Sequence, residues 1–276
     1  TIPTSLTLKL SKDTVELGKK VRISGTLTAN EYPKRITGTL VLEASKEGLD
    51  WQVIKEFEVK STRQYRFSHS WTPTEAGDYM IRSGYSGDET YSACESDLVH
   101  LTVEKASTLL KLSASPRSTY WGREVKITVT LTSKYLTPMT GQIIVYANDT
   151  TIQIIDVSDA VKKVKEVFAW TPEQCGKWIL TAQYSGDDNY QPSTAKAVTL
   201  EVRKIKTMLT LKFNATRIEL GQAVNMTITL EAKSPPTDIT GEFLIEYRIG
   251  RGDWALLDTI TIEPARTVTT NYVWEP

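Results

Sequence analysis

Hydrophobic and polar residues alternate along most of the chain. After Gly18 the apolar positions are Val21, Ile23 and Leu27, with Arg22 and small or hydroxylated residues between them. Similar alternating segments follow the later glycines at 122 and 221. A period of two places one row of side chains on a buried face and the other row in water, which is typical of antiparallel strands. The pattern therefore predicts an all-β protein, and no window of the sequence favours a helix.

The alternating segments occur in three copies. Three sets of anchor residues recur with a period of about 100 residues, the size of a whole domain rather than of a solenoid unit. These anchors are Gly18, Gly122 and Gly221; Gly38, Gly141 and Gly241; and Trp71, Trp170 and Trp274. Repeat one has seven predicted strands with turns every 8–12 residues, which fits a two-sheet immunoglobulin-type sandwich. We predict tandem Ig-like domains over residues 1–105, 106–204 and 205–276, arranged as an extended rod.

The third repeat and the joints refine this organisation. Repeat three stops after its predicted strand E, at Trp274, so we expect it to lack strands F and G. Either the chain is a fragment of a longer protein, or strands from another chain complete the sandwich. The segments 103–107 and 202–206, which join the repeats, contain neither Gly nor Pro. Such short joints limit bending and favour a semi-rigid array.

One motif resembles the tyrosine corner of immunoglobulin folds. Repeat one reads Gly77-Asp78-Tyr79, and in that motif a tyrosine hydroxyl ties the turn before strand F to the strand. Repeat two has Trp178 at the tyrosine position, so the hydroxyl contact cannot form there. We call the segments 72–76 and 171–175, which precede these corners, the corner turns.

A second motif identifies a family. Repeat one reads Tyr85-Ser86-Gly87-Asp88-Glu89-Thr90-Tyr91, and repeat two reads Tyr184-Ser185-Gly186-Asp187-Asp188-Asn189-Tyr190. We call these segments the aspartate turns. With the run from Gly176 to Val202, they resemble the group-3 Ig-like repeats of bacterial and archaeal surface proteins. The resemblance implies spacers, stalks or adhesive arrays and specifies no binding activity.

Composition narrows the function. The 33 Lys and Arg residues balance the 33 Asp and Glu residues, which argues against a nucleic-acid-binding protein. No apolar run is long enough to insert into a membrane as a helix. His69 and His100 lie far apart in sequence without a metal-ligand pattern, and no catalytic or nucleotide-binding motif occurs. We therefore expect no catalysis, metal or cofactor.

Three sequons make the chain a candidate glycoprotein. Asn148, Asn214 and Asn225 each begin an Asn-x-Thr acceptor pattern. The strand pattern places Asn148 in a hairpin turn, Asn214 at the end of strand A and Asn225 on the wet face of strand B. All three should be accessible, so we expect N-glycans if the chain is secreted.

Other candidate sites have simpler interpretations. Asp88 and Asp187 are candidate calcium ligands, but each follows a glycine in a hairpin, where it can cap its own backbone. The Arg-Gly-Asp tripeptide at 251–253 lies in a predicted turn. Cys94 and Cys175 belong to different repeats, so an intrachain disulfide is not expected. Free thiols or a bond between chains remain.

These observations predict a structural segment of a prokaryotic protein at the cell surface or outside the cell. An S-layer or filament component is the first interpretation, with a weak archaeal preference that rests on the sequons and the domain type. Its partners would be further copies or neighbouring surface proteins. The stalk of an adhesin, or an accessory region of a secreted hydrolase, are the alternatives.

Overall fold

The computed structural model describes residues 1–30, 35–160, 162–233 and 238–276, and those residues form strands and turns without a helix. None of the described residues therefore forms a helix that could cross a membrane. The prediction of tandem all-β Ig-like domains is confirmed.

Repeat one forms two sheets that face each other. Its strands are β1 (Thr4–Leu10), β2 (Thr14–Glu16), β3 (Val21–Ala29), β4 (Ile36–Lys46), β5 (Asp50–Thr62), β6 (Gln64–Trp71), β7 (Gly77–Tyr85), β8 (Cys94–Glu95) and β9 (Val99–Glu104). One sheet has the order β1-β3-β6, and the other has the order β2-β9-β7-β4-β5 with β8 beside β7. The core between them includes a cluster of buried side chains: Leu6, Leu27, Ile36, Leu40, Val59, Phe67, Tyr85 and Tyr91.

Repeat two repeats this arrangement. Its strands are β10 (Leu109–Ser115), β11 (Ser118–Tyr120), β12 (Val125–Thr132), β13 (Met139–Ala147), β14 (Thr150–Ala160), β15 (Lys163–Trp170), β16 (Gly176–Tyr184), β17 (Ser193–Thr194) and β18 (Val198–Arg203). The sheet orders are β10-β12-β15 and β11-β18-β16-β13-β14, with β17 beside β16. The two repeats therefore share one topology, in which β5 and β14 are the outer strands of their sheets.

Repeat three has five strands within the described residues. They are β19 (Thr207–Phe213), β20 (Val224–Ala232), β21 (Ile239–Tyr247), β22 (Ala255–Ala265) and β23 (Thr267–Trp274). The sheets are β19-β20-β23 and β21-β22. Its core includes a cluster of buried side chains: Met226, Ile228, Phe243, Ile245 and Ile262.

The chain divides into two compact units. The first comprises Thr1–Ser113, Thr128–Val167 and Leu180–Val198; the second comprises Ala114–Ile127, Phe168–Ile179 and Thr199–Pro276. The first unit thus holds all of repeat one together with the aspartate turn of repeat two. Every sheet is built from strands of a single repeat. The domain limits at residues 105 and 204 stay predictions.

Candidate functional site

The aspartate turn of repeat one is organised around one carboxylate. Asp88 Oδ1 accepts the backbone N–H groups of Thr90 and Tyr91, both at 2.8 Å. Asp88 Oδ2 accepts the backbone N–H of Thr37 at 3.0 Å and its hydroxyl at 2.9 Å. Burial raises the pKa of the Asp88 carboxyl, but these hydrogen bonds outweigh it and lower the pKa to about 2. The carboxylate therefore acts as the cap of its own turn.

Repeat two builds the same turn on Asp187. Its Oδ1 accepts the N–H groups of Asn189 at 2.8 Å and Tyr190 at 2.7 Å. Its Oδ2 accepts the N–H of Thr140 at 2.7 Å and the hydroxyl of that residue at 3.2 Å. Asp187 Oδ2 also accepts the hydroxyl of Tyr184 at 3.4 Å. At least four protein donors thus surround each of the two carboxylates that the sequence offered as calcium ligands. Over the ranges that the structure describes, no group of three or more His, Cys, Asp or Glu side chains could hold a metal ion.

The first tyrosine of each turn donates a hydrogen bond to the backbone carbonyl at an equivalent position in the two repeats. The hydroxyl of Tyr85 donates to the carbonyl of Thr37, and the hydroxyl of Tyr184 donates to the carbonyl of Thr140 at 2.6 Å. Burial raises the pKa of Tyr85 to about 12 and raises the pKa of Tyr184 as well, with the nearby aspartate adding to each shift. Both phenols therefore serve as neutral donors.

The tyrosine corner is preserved in both repeats by different chemistry. The hydroxyl of Tyr79 donates to the carbonyl of Glu75 at 3.1 Å. The indole N–H of Trp178 donates to the carbonyl of Gln174 at 3.0 Å, across the same four-residue separation. Each corner ring also meets the tryptophan at the end of the preceding strand edge to face, with ring centroids 5.2 Å apart in both cases. The hydroxyl contact that the sequence of repeat two lacks is therefore replaced by an indole donor.

The chain crosses from repeat one to repeat two at residues 104–107, and these residues with the side chains that contact them form what we call the joint. Ala106 lies against the aspartate turn of repeat two, where its N–H donates to the carbonyl of Asn189 at 2.8 Å and its carbonyl accepts the N–H of Gln191 at 2.9 Å. Ile2 holds the corresponding place in repeat one, with its N–H on the carbonyl of Thr90 at 2.8 Å. The connecting segment is thus paired with the domain that it enters.

A carboxylate of repeat one, that of Glu16, accepts hydrogen bonds from two residues of repeat two. Glu16 Oε1 accepts the backbone N–H of Ser107 at 3.1 Å and its hydroxyl at 3.2 Å, while Oε2 accepts the hydroxyl of Tyr135 at 3.4 Å. The Lys19 ammonium lies 6.0 Å from the centre of the Tyr135 ring. The backbone hydrogen bond from Ser107 is the main cause that lowers the pKa of Glu16. Glu16 therefore links repeat one to two segments of repeat two.

Further hydrogen bonds join the aspartate turn of repeat two to repeat one. Asn189 Oδ1 accepts the backbone N–H of Ala76, in the corner turn of repeat one, at 2.9 Å. The Lys105 ammonium donates to the carbonyl of Asp187 at 2.6 Å. The aspartate turn thus shapes its own domain with its carboxylate and binds the neighbouring domain with its carbonyl and carboxamide groups.

An open groove of about 790 Å³ lies beside these contacts. The Thr137 hydroxyl donates to the carbonyl of Thr74 at 3.3 Å at its edge. Its lining combines Glu75, Asp188 and the exposed Leu136. The groove is shallow. It lies between surfaces of repeats one and two that are joined by the hydrogen bond from Thr137 to Thr74.

Gly18 shows how closely the two repeats approach. Its φ is +79°, a conformation that side chains rarely adopt. A Cβ at this position would lie 2.2 Å from a ring carbon of Tyr135. The glycine that anchors the repeat pattern is therefore needed both for its backbone angle and for the contact with repeat two.

The three sequon asparagines are all exposed. Asn148 lies between β13 and β14, Asn214 follows β19, and Asn225 lies within β20. These are the positions expected from the pattern, and their modification stays a prediction.

The remaining candidates are scattered. Cys94 is half-buried and Cys175 is exposed, and both are free thiols. His69 is half-buried on β6, and His100 is exposed on β9. The Arg-Gly-Asp residues 251–253 lie exposed in the connection between β21 and β22.

Sequence reasoning missed the side chains that build the joint. It predicted a short, stiff connection, but Glu16 and Tyr135 belong to no motif, and the motif that contains Asn189 gave no sign of a contact with repeat one. One signal was available, because Asn189 replaces Thr90 in an otherwise matching aspartate turn. When two copies of a motif differ at a partly exposed position, the residue at that position is a candidate for a contact that only one copy makes, as Asn189 does with Ala76.

Comparison with known proteins identifies the domain type. Residues 112–203 match the family model of the bacterial Ig-like domain (group 3), which confirms the resemblance for repeat two. No curated protein sequence matches the chain.

The solved structures that match the chain have low sequence identity to it. Invasin, a bacterial integrin-binding protein, is 12% identical, with 98% of this chain and 56% of that chain covered and a TM-score of 0.47. The adhesin InvE of Yersinia pseudotuberculosis is 12% identical, with 71% and 58% covered and a TM-score of 0.35. The fibronectin(III)-like modules of Clostridium thermocellum CbhA are 14% identical, with 71% and 94% covered and a TM-score of 0.28. The chain spans little more than half the length of the invasin and InvE chains.

The domain type defines a coarse class. Group 3 Ig-like domains indicate a structural protein of the cell surface or the extracellular space.

Proposed function

We propose that this chain is a non-catalytic structural segment of a secreted or cell-surface prokaryotic protein, such as an S-layer or an extracellular filament. In this role the sandwiches hold a fixed spacing and orientation between neighbouring parts of the assembly. The segment needs no cofactor, and its partners are further copies or neighbouring surface proteins.

The joint between repeats one and two is the observation that carries the proposal. A binding module that acts alone gains nothing from a carboxylate such as Glu16, whose oxygens accept three hydrogen bonds from the next domain. A spacer gains stiffness from each of them, because bending the joint would break bonds at Ser107, Tyr135 and Asn189 together. Domains joined by a small interface are otherwise expected to move relative to one another.

The surface charge is compatible with assembly. Positive and negative side chains balance at 33 each, so copies do not repel one another through net charge. An asparagine-linked glycan on an exposed sequon fits a protein outside the cell.

Electron microscopy of the native cell surface, with antibodies against this chain, tests the proposal. A labelled lattice or fibre supports the structural role. Isolated labelled stalks would favour the adhesin stalk instead. Enzymatic turnover by the purified chain would contradict both.

A further inference from the structure

The sequon of repeat two sits in a different backbone setting from those of repeat three. Asn148 and Asp149 form the whole connection between β13 and β14, because Ala147 pairs directly with Thr150. Their φ angles are +46° and +65°, as required at both central residues of the tight hairpin turns that favour asparagine. Asn148 is therefore exposed at the tip of a two-residue hairpin.

The sequons of repeat three are hydrogen-bonded to a sheet, one within a strand and one directly after a strand. Asn225 lies in β20, between β19 and β23, and its backbone N–H donates to Asn214 Oδ1 at 2.8 Å. The backbone N–H of Asn214 in turn donates to the carbonyl of Asn225 at 3.0 Å. The hydroxyl of Thr227, which completes the second sequon, donates to Asn271 Oδ1 at 2.9 Å. Lifting either asparagine into an enzyme would break these bonds.

We propose that Asn148 is the glycan attachment site of the folded chain, and that Asn214 and Asn225 are withheld by the hydrogen bonds that join them to each other at the sheet. Acceptor asparagines are typically found in surface loops, where a transferase can surround them. In the transfer, Asn148 Nδ2 bonds to the anomeric carbon of a sugar carried on a lipid phosphate. The bond from that carbon to the phosphate oxygen breaks, the phosphate leaves with the electron pair, and the amide nitrogen gives up a proton to a base.

The strand beside Asn148 has an exposed edge that a glycan on Asn148 would cover. Strand β14 is the outer strand of its sheet, and its first six residues, Thr150–Ile155, carry no charge. Ile154 pairs with Ile144 of β13 and is 52% exposed. Exposed, uncharged outer strands pair with other chains unless something blocks them.

The corresponding strand of repeat one is blocked by charge. Strand β5 carries Lys55, Glu56, Glu58 and Lys60. Glu56 pairs with Val41 at the position where repeat two pairs Ile154 with Ile144. A glycan at Asn148 thus protects in repeat two the edge that charged side chains protect in repeat one. This protective role rests on the proposed location outside the cell, where glycans are added.

Glycan transfer in vitro tests the attachment site. The folded full chain, made without glycans, is incubated with membranes that hold an N-glycosyltransferase and a lipid-linked oligosaccharide, and glycopeptides are then mapped by mass spectrometry. We expect one glycan, on Asn148, which Asn148→Asp and Thr150→Ala abolish and the matched variant Asn225→Asp retains. Peptides 213–217 and 218–233, freed from the fold, should become acceptors.

Two results overturn the attachment site: a glycan on Asn214 or Asn225 of the folded chain, or an Asn148 that stays bare. Because the transferase is supplied, neither result bears on the proposed structural role, which depends on the native cell surface.

Sedimentation velocity tests the protection of the edge. We expect the bare chain to associate more than the glycosylated chain, Ile154→Glu to remove that excess, and Glu56→Ile to add association even when Asn148 carries its glycan. Equal association of the bare and glycosylated chains, or an excess that Ile154→Glu leaves unchanged, overturns the protective role.

Discussion

The two aspartate turns have almost the same internal structure but different surroundings. Four equivalent donors form hydrogen bonds to Asp88 and to Asp187, and the Tyr184 hydroxyl adds one more at Asp187. In repeat two the turn also binds the neighbouring domain, through the Asn189 carboxamide and the Asp187 carbonyl. In repeat one the residue equivalent to Asn189 is Thr90, which has no carboxamide.

The difference separates two kinds of residue in a repeated domain. Residues that close the turn are the same in both repeats, because every sandwich needs them. Residues that face a neighbour differ, because each end of a domain meets a different surface. The joint is therefore specified by substitutions on a constant scaffold.

The largest expected effect comes from removing the shared cap. Asp88→Ala and Asp187→Ala should each lower the free energy of unfolding of their own repeat by about 3 kcal/mol, because several N–H donors lose their acceptor. Hydrogen exchange measured repeat by repeat checks this. The exposed neighbour Glu89→Ala serves as the control and should change little. A small effect in one repeat alone would show that the two turns are not equivalent.

A smaller effect is expected at the anchor glycines. Gly221 has a φ of +83°, and a Cβ added there would meet no other atom, so Gly221→Ala should cost about 1–2 kcal/mol from backbone strain alone. Gly18→Ala should cost more, because its Cβ would also displace the Tyr135 ring. Thermal unfolding gives the ranking, and NMR shifts of Tyr135 report the displacement. Equal costs would mean that the Tyr135 contact is unimportant.

Acid should weaken the cap of repeat one. The pKa of Asp88 is about 2 in the folded chain, below the value of about 3.9 for an unfolded aspartate. Its contribution to stability is therefore complete above about pH 4 and is lost as the pH falls towards about 2. Hydrogen exchange of repeat one across this range should show the loss in the unmodified chain and a flatter profile in Asp88→Ala. If the unmodified chain and Asp88→Ala lose protection identically as the pH falls, Asp88 is not the group that makes repeat one sensitive to acid.

The smallest effect on stability is expected from the joint itself. Asn189→Thr copies the residue of repeat one and deletes the bond to the Ala76 N–H. We expect a loss below about 1 kcal/mol in either repeat, because the bond is only partly shielded from water. The reciprocal variant Thr90→Asn is the control and should leave the joint unchanged. A large loss of stability would mean that Asn189 supports its own domain rather than the joint.

Much of the fold and both aspartate turns could be predicted from sequence, and the joint between the repeats could not. The alternation of apolar and polar residues after Gly18, Gly122 and Gly221 is a local pattern. It can be recognised without knowing which residues each strand contacts. Glu16 and Ser107 are distant in sequence and meet only because β2 and β9 run side by side, which no local pattern reveals. Trp178 teaches a related lesson, since its indole N–H serves where a hydroxyl was expected.

Residual dipolar couplings of repeats one and two, measured on the full chain, test the central claim most directly. If the joint is stiff, the couplings of both repeats fit one alignment tensor, and Glu16→Gln combined with Asn189→Thr splits them into two. Two separate tensors in the unmodified chain would contradict the proposed spacer.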